Sequence, residues 1–218
     1  MNILRFIIGI LLIPVCVIVT MSFYDGIVRI KAVTESGVYF ILGALFYSIL
    51  HLLLFRLDFL YVLGHEVMHA VATLFSGGKV KGMKVSRKEG SVKTTTPNFF
   101  VIMAPYLVPI YTVLIAFFYF LASFYIDTAR YSPIFIFLIG FTLMLHLSYT
   151  AESMRDKQSD LMKTGYLPSI CFIYLTNLII VFLIVSLLFS EVSFIDFIGD
   201  IYDKARVFYY FFWKQLFL

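Results

Sequence analysis

Phe59-Leu60-Tyr61-Val62-Leu63-Gly64-His65-Glu66-Val67-Met68-His69-Ala70-Val71-Ala72-Thr73-Leu74-Phe75 sets His65, Glu66 and His69 into a run that is otherwise apolar. Ionisable groups are expensive in such a segment and mark function there. On an α-helix, residues i and i+4 lie one above the other, so both imidazoles can reach one tetrahedral Zn²⁺. Glu66 then stands beside the metal, where a carboxylate can take a proton from an attacking water and pass it to a leaving amine. With four His in the chain, chance places His-Glu-x-x-His in a shuffled sequence only about 0.002 times. The pattern therefore points to zinc-dependent hydrolysis carried out within a membrane.

The bilayer follows from composition. Hydrophobic residues make up 61% of the chain and charged residues 14%, with a mean hydropathy of +0.96, outside the range of soluble globular domains. Apolar runs of spanning length, about 20 residues each, read at Ile3 to Tyr24, Val38 to Phe55, Phe59 to Phe75, Phe99 to Ile126, Ser132 to Tyr149 and Leu167 to Ser190. The expected fold is an all-α, multi-pass integral membrane bundle of about six helices. It forms a single domain over residues 1–218, with a catalytic core over 59–177. Only Arg56 and Asp58 break the apolar character between the second and third runs, which must therefore turn sharply. The first run has Arg5 near its start and Pro14 further in, with no small-residue cleavage site after it, and reads as an uncleaved anchor. Cys16 and Cys171 are both in apolar runs and define no disulfide framework.

The interval Ser76 to Asn98 opens with the helix stop Gly77-Gly78. It continues through Val80, Met83, Val85 and Val92 around the turn signal Lys88-Glu89-Gly90-Ser91. This reads as a β-hairpin directly after the His-Glu-x-x-His helix, either an edge for an extended substrate or a loop covering the site. Lys79, Lys81, Lys84, Arg87, Lys88 and Lys93 cluster there against Glu89 alone. Such a loop is expected to be cytoplasmic and to face anionic lipid, with both termini outside. It lacks the interleaved aromatics of a nucleic-acid surface, so no nucleic-acid partner is expected. Pro105 and Pro109 predict a kink in the fourth run. His51 reads as a satisfied interior histidine, and Asp196 to Leu218 as an interfacial tail.

A catalytic zinc keeps three protein ligands and one open position. The candidates for the third ligand are His146, Glu152, Asp156 and Asp160. The last three recur every four residues, and ion pairing with Arg155, Lys157 and Lys163 accounts for such a helical face equally well.

Gly64-His65-Glu66-Val67-Met68-His69-Ala70, then Gly77-Gly78-Lys79-Val80 with a glycine-containing hairpin, then Ala104-Pro105-Tyr106 opening the next helix, resemble the site-2-protease-like family of intramembrane zinc metallopeptidases. The resemblance covers roughly Phe59 to Asn177. It implies a third ligand from a downstream aspartate near the start of a later helix, which corresponds here to Asp160 in Gln158-Ser159-Asp160-Leu161. The Asn, Pro and Gly that often flank that aspartate are absent.

The expected function is hydrolysis of a peptide bond in a membrane-embedded protein substrate, with Zn²⁺ on His65, His69 and Asp160 and Glu66 as general base. The substrate must unwind, because a helix hides its carbonyls in hydrogen bonds. A zinc-holding scaffold or chaperone for transmembrane helices is the alternative. A transporter would need polar residues spread over several spans, and here they concentrate at one site. Oligomeric state is not readable from these features.

Overall fold

A computed structural model describes residues 3–87 and 89–217, with side chains to residue 215. Lys88 of the basic loop and turn signal, and Leu218 at the end of the tail, lie outside the described residues. In chain order the elements are α1 (Ile3–Ile27), α2 (Glu35–Ile49), α3 (Asp58–Phe75), β1 (Val80–Val85), β2 (Gly90–Thr94), α4 (Phe99–Leu107), α5 (Ile110–Ala122), α6 (Ser132–Arg155), α7 (Ser159–Thr164), α8 (Tyr166–Leu188) and α9 (Phe194–Phe217). Helix dominates, and the one sheet is the antiparallel pair β1–β2.

Four helices among the described residues are long and apolar enough to cross a bilayer. They are α1, α2 extended by a π-turn over Leu50–Leu54, α6 with the 3₁₀ turn before it, and α8. The fourth expected run is broken: α4 and α5 meet at 72° and count as a fifth span only if taken together. Pro109 explains the break, because a residue before proline is driven to extended backbone and Val108 adopts φ −113, ψ 115. The third expected run lies in α3, 18 residues long, which carries Asp58, His65, Glu66 and His69 and is not among those spans. The tail is one amphipathic helix, α9.

The chain divides into two compact units. In the unit formed by Met1–Thr34 and Leu167–Leu218, Val19, Leu175, Phe182, Val185 and Phe197 form a buried core, with Phe182 and Phe197 stacked 3.8 Å apart. Lys204 of α9 is ion-paired with Asp25 of α1 and Asp200. Cys16 and Cys171 are free thiols.

The unit Glu35–Tyr166 holds every residue of the motif. Its frame is the α2–α6 pair, where the backbones touch. A Cβ at Gly43 would stand 2.0 Å from the Phe137 carbonyl oxygen, and one at Gly140 2.1 Å from that of Phe40. Small residues permit such an approach, and dispersion then holds helices together where no hydrophobic drive exists. The chain reverses after α2 through extended Phe55, whose N–H donates to the Leu50 carbonyl at 2.9 Å. This is the sharp turn expected at Arg56 and Asp58. It lays α3 against the C-terminal half of α6, where Tyr61 stacks on Tyr149 (4.3 Å, 3° between planes) and the Tyr149 hydroxyl donates to Asp58 at 2.8 Å.

At its other end α3 stops in a Schellman motif. The N–H of Gly78 donates to Thr73 and that of Gly77, at φ +72, to Leu74. A Cβ at Gly78 would collide with Thr96 Oγ1 at 1.9 Å, so glycine there lets the hairpin fold back onto α3.

Candidate metal centre

His65 and His69 face the same side of α3, one turn apart, with their Nε2 atoms 3.2 Å from each other. The chain brings Asp160 to them from far along the sequence. Helix α6 ends in a second Schellman motif, in which the N–H of Lys157 donates to Met154 and that of Gln158 to Ser153. Lys157 occupies the left-handed position at φ +51, where glycine is usual. The reversal starts α7 beneath α3. Asp160 Oδ2 then lies 3.3 Å from His69 Nε2 and 3.8 Å from His65 Nε2. One ligand atom from each of His65, His69 and Asp160 lies within 4.8 Å of the others, and the group could hold a metal ion.

What surrounds the triad decides which atoms face inward. Pro105 has no N–H, so the carbonyl of Val101, one turn earlier in α4, receives no helical hydrogen bond. His69 Nδ1 fills that vacancy at 2.8 Å. A carbonyl only accepts, so Nδ1 carries the proton and Nε2 keeps its lone pair toward the triad. On the other ring, His65 Nδ1 lies 3.4 Å from the Tyr61 hydroxyl, which is 2.7 Å from Ser153 Oγ. Tyr106, fully buried, packs edge-on against His65 and donates to Gln158 Oε1 at 2.6 Å, which ties the turn before Asp160 to α4. Lys163 Nζ donates to the outward Asp160 Oδ1 at 2.8 Å.

Glu66 is buried, at 6% exposure, yet its carboxylate has no hydrogen-bond or ion-pair partner among the described residues. It lines a cleft of about 560 Å³ together with His65, Asp160, Tyr61, Ser153 and Gly90. The cleft wall is polar, with Arg56, Arg87, Asp58 and Asp156 also on it. The carboxylate thus faces a space that water can enter.

The other sequence candidates are engaged elsewhere. Glu152 is ion-paired with Arg56 and lies 3.3 Å from His51, whose second nitrogen is 3.0 Å from the Tyr47 hydroxyl. Asp156 pairs with Arg155. His146 is buried in α6 outside the triad and lines a cavity of about 20 Å³ together with His65, Tyr61, Gly64 and Thr142. Tyr61, Ser153, Tyr106, Gln158 and Gly90 were not legible as site residues. Apart from the i, i+4 contact of Tyr61 with His65, each acts through a contact distant in sequence, and Pro105 carried a signal in its missing donor.

Comparison with protein-family models, with curated proteins and with solved structures finds no match to this chain.

Proposed function

We propose that this chain is a zinc-dependent intramembrane metallopeptidase of the site-2-protease-like kind, hydrolysing a peptide bond in a membrane-embedded protein. The observation that carries the reading is three converging ligand atoms with, beside them, a carboxylate that has no hydrogen-bond or ion-pair partner among the described residues. Two Nε2 atoms and one carboxylate oxygen, 3.2, 3.3 and 3.8 Å apart, are close enough for one cation to be held by all three. Ligands at zinc bond lengths of about 2.0–2.1 Å in a tetrahedron are about 3.3 Å apart, which fits this set. His₂-carboxylate is a catalytic zinc set that leaves one position open. In this reading α3 and the bent α4–α5 pair are embedded in the bilayer with the four spanning helices, giving six.

Each residue then has a task. His65, His69 and Asp160 hold the ion, and bound zinc lowers the pKa of water and polarises a carbonyl. Glu66 takes the proton of the attacking water and delivers it to the departing amine nitrogen, so the carboxylate is regenerated each cycle. Tyr61 and the Val101 carbonyl keep the two imidazoles aimed, and the polar cleft admits water and the unwound substrate segment.

The test compares purified wild type with Glu66→Gln in detergent or nanodiscs. Both should contain about one zinc per chain, and only wild type should cleave a transmembrane reporter. Cleavage by Glu66→Gln at the wild-type rate would sink the hydrolase. Zinc in both with cleavage by neither would favour the alternative, a scaffold that binds transmembrane helices without cutting.

A further inference from the structure

Both strands of the β1–β2 hairpin pack on α3, and the side facing that helix is identified by Gly90. A Cβ there would stand 2.4 Å from Glu66 Cγ and 2.6 Å from its Oε1. The register pairs Val85 with Gly90, Lys84 with Ser91, Met83 with Val92 and Gly82 with Lys93. Side chains alternate between faces along a strand. Met83, Val85 and Val92 therefore share the Gly90 side, while Gly82, Lys84, Ser91 and Lys93 point away from α3. Val85 and Val92 are half-buried and Lys84, Ser91 and Lys93 exposed, while Met83 and Gly90, on the inner side, are exposed as well.

The outer face is open and cationic. A Cβ at Gly82 would meet nothing within 4 Å. Lys84 and Lys93 have no ion-pair partner among the described residues. Uncompensated ammonium groups are excluded from hydrocarbon, so this face must lie at the headgroup layer or beyond it. The hairpin is held near that layer by its two ends. Phe75, closing α3, is 89% exposed, and Phe99 and Phe100, opening α4, are exposed as well. Aromatic side chains in such positions are at home in the apolar margin of a bilayer.

We propose that the outer face of the hairpin, through Lys84 and Lys93, docks the phosphate of anionic phospholipid headgroups, and that this docking holds Gly90 against Glu66. A compact ammonium on a flexible stem suits a phosphate as a point charge. The hairpin is two strands thick in one layer, so what fixes its outer face also fixes the inner face, one residue of backbone away from the Glu66 carboxylate. The docking stands on charge and placement alone. Its effect on turnover rests on the proteolytic reading above.

The full chain is reconstituted in nanodiscs of phosphatidylcholine, alone or with one third phosphatidylglycerol, and retained lipid is read by native mass spectrometry after extraction. Wild type should retain phosphatidylglycerol. Lys84→Gln/Lys93→Gln should retain it less, by about 5-fold for each lysine removed, while the charge-matched Arg29→Gln/Lys31→Gln should behave as wild type. Equal retention by the hairpin variant overturns the docking, and displacement by soluble glycerol phosphate overturns the bilayer as its source. Phosphatidylglycerol should also raise reporter cleavage by wild type and not by the hairpin variant. Retention without that rise overturns the coupling to Glu66. Absence of cleavage from every preparation removes the proteolytic reading and leaves retention to decide the docking.

Discussion

At Pro105 a missing hydrogen atom does the work of a side chain. Proline in a helix leaves the carbonyl four residues earlier without its donor, and here that carbonyl, Val101, receives His69 Nδ1 at 2.8 Å. A metal-binding histidine is oriented by whatever its second nitrogen bonds, and loss of such a partner lowers affinity by about 10–100-fold. Pro105→Ala restores a helical N–H that competes for Val101. The variant should be a better helix and a poorer zinc site, with affinity down about 10-fold. Replacing Pro105 by the hydroxy-acid analogue of alanine, which has neither ring nor N–H, should recover wild-type affinity. Metal titration decides the matter. If the ester analogue bound as weakly as Pro105→Ala, ring rigidity rather than the freed carbonyl would be the cause. The sequence displayed this proline as a kink, and the kink itself belongs to Pro109 four residues on, where Val108 turns extended.

Among elements, the short helix α7 shows what could be read in advance and what could not. The pair His65 and His69 was legible because its geometry is local: i and i+4 meet on any helix. The β-hairpin was legible because Gly77-Gly78 and the turn signal Lys88-Glu89-Gly90-Ser91 are local too. Asp160 was reached through resemblance alone, since its placement depends on a chain reversal at Lys157 with no glycine to announce it. Lys157 sits at φ +51, a conformation that costs a residue with a Cβ about 1 kcal/mol. Its ammonium lies 5.6 Å from the centre of the Tyr166 ring, a contact worth about 0.5 kcal/mol when exposed. Lys157→Gly should therefore stabilise the protein by the difference, about 0.5 kcal/mol, with zinc content unchanged. Unfolding titrations in mixed micelles would show it, and a destabilised variant would mean that the cation over Tyr166 outweighs the backbone strain. Glu152 and Asp156 shared the spacing of Asp160 but not its fate, because Arg56 and Arg155 were nearer.

Across the whole molecule, the candidate ligands join segments far apart in the chain. His65 and His69 belong to the helix after the Arg56 reversal, Asp160 to the helix after the Lys157 reversal, and all lie within the unit Glu35–Tyr166. On the proposed reading, His65, His69 and Asp160 with no cation between them work against the packing of α7 on α4. With one, they fasten it. Anything that binds only the folded state adds stability by mass action, about 2.7 kcal/mol at a free concentration 100 times Kd. Chelation should consequently lower the Tm of wild type, and restored zinc should return it. His65→Ala/His69→Ala should start lower and ignore both treatments. Glu66→Gln should follow wild type, because on the proposed reading its carboxylate moves protons and holds no ion. Differential scanning fluorimetry in detergent, with and without chelator, measures all three. A chelator-induced drop of equal size in the double-histidine variant would locate the stabilising metal elsewhere in the molecule. No drop in wild type would mean that the convergence of His65, His69 and Asp160 is closed by a proton instead.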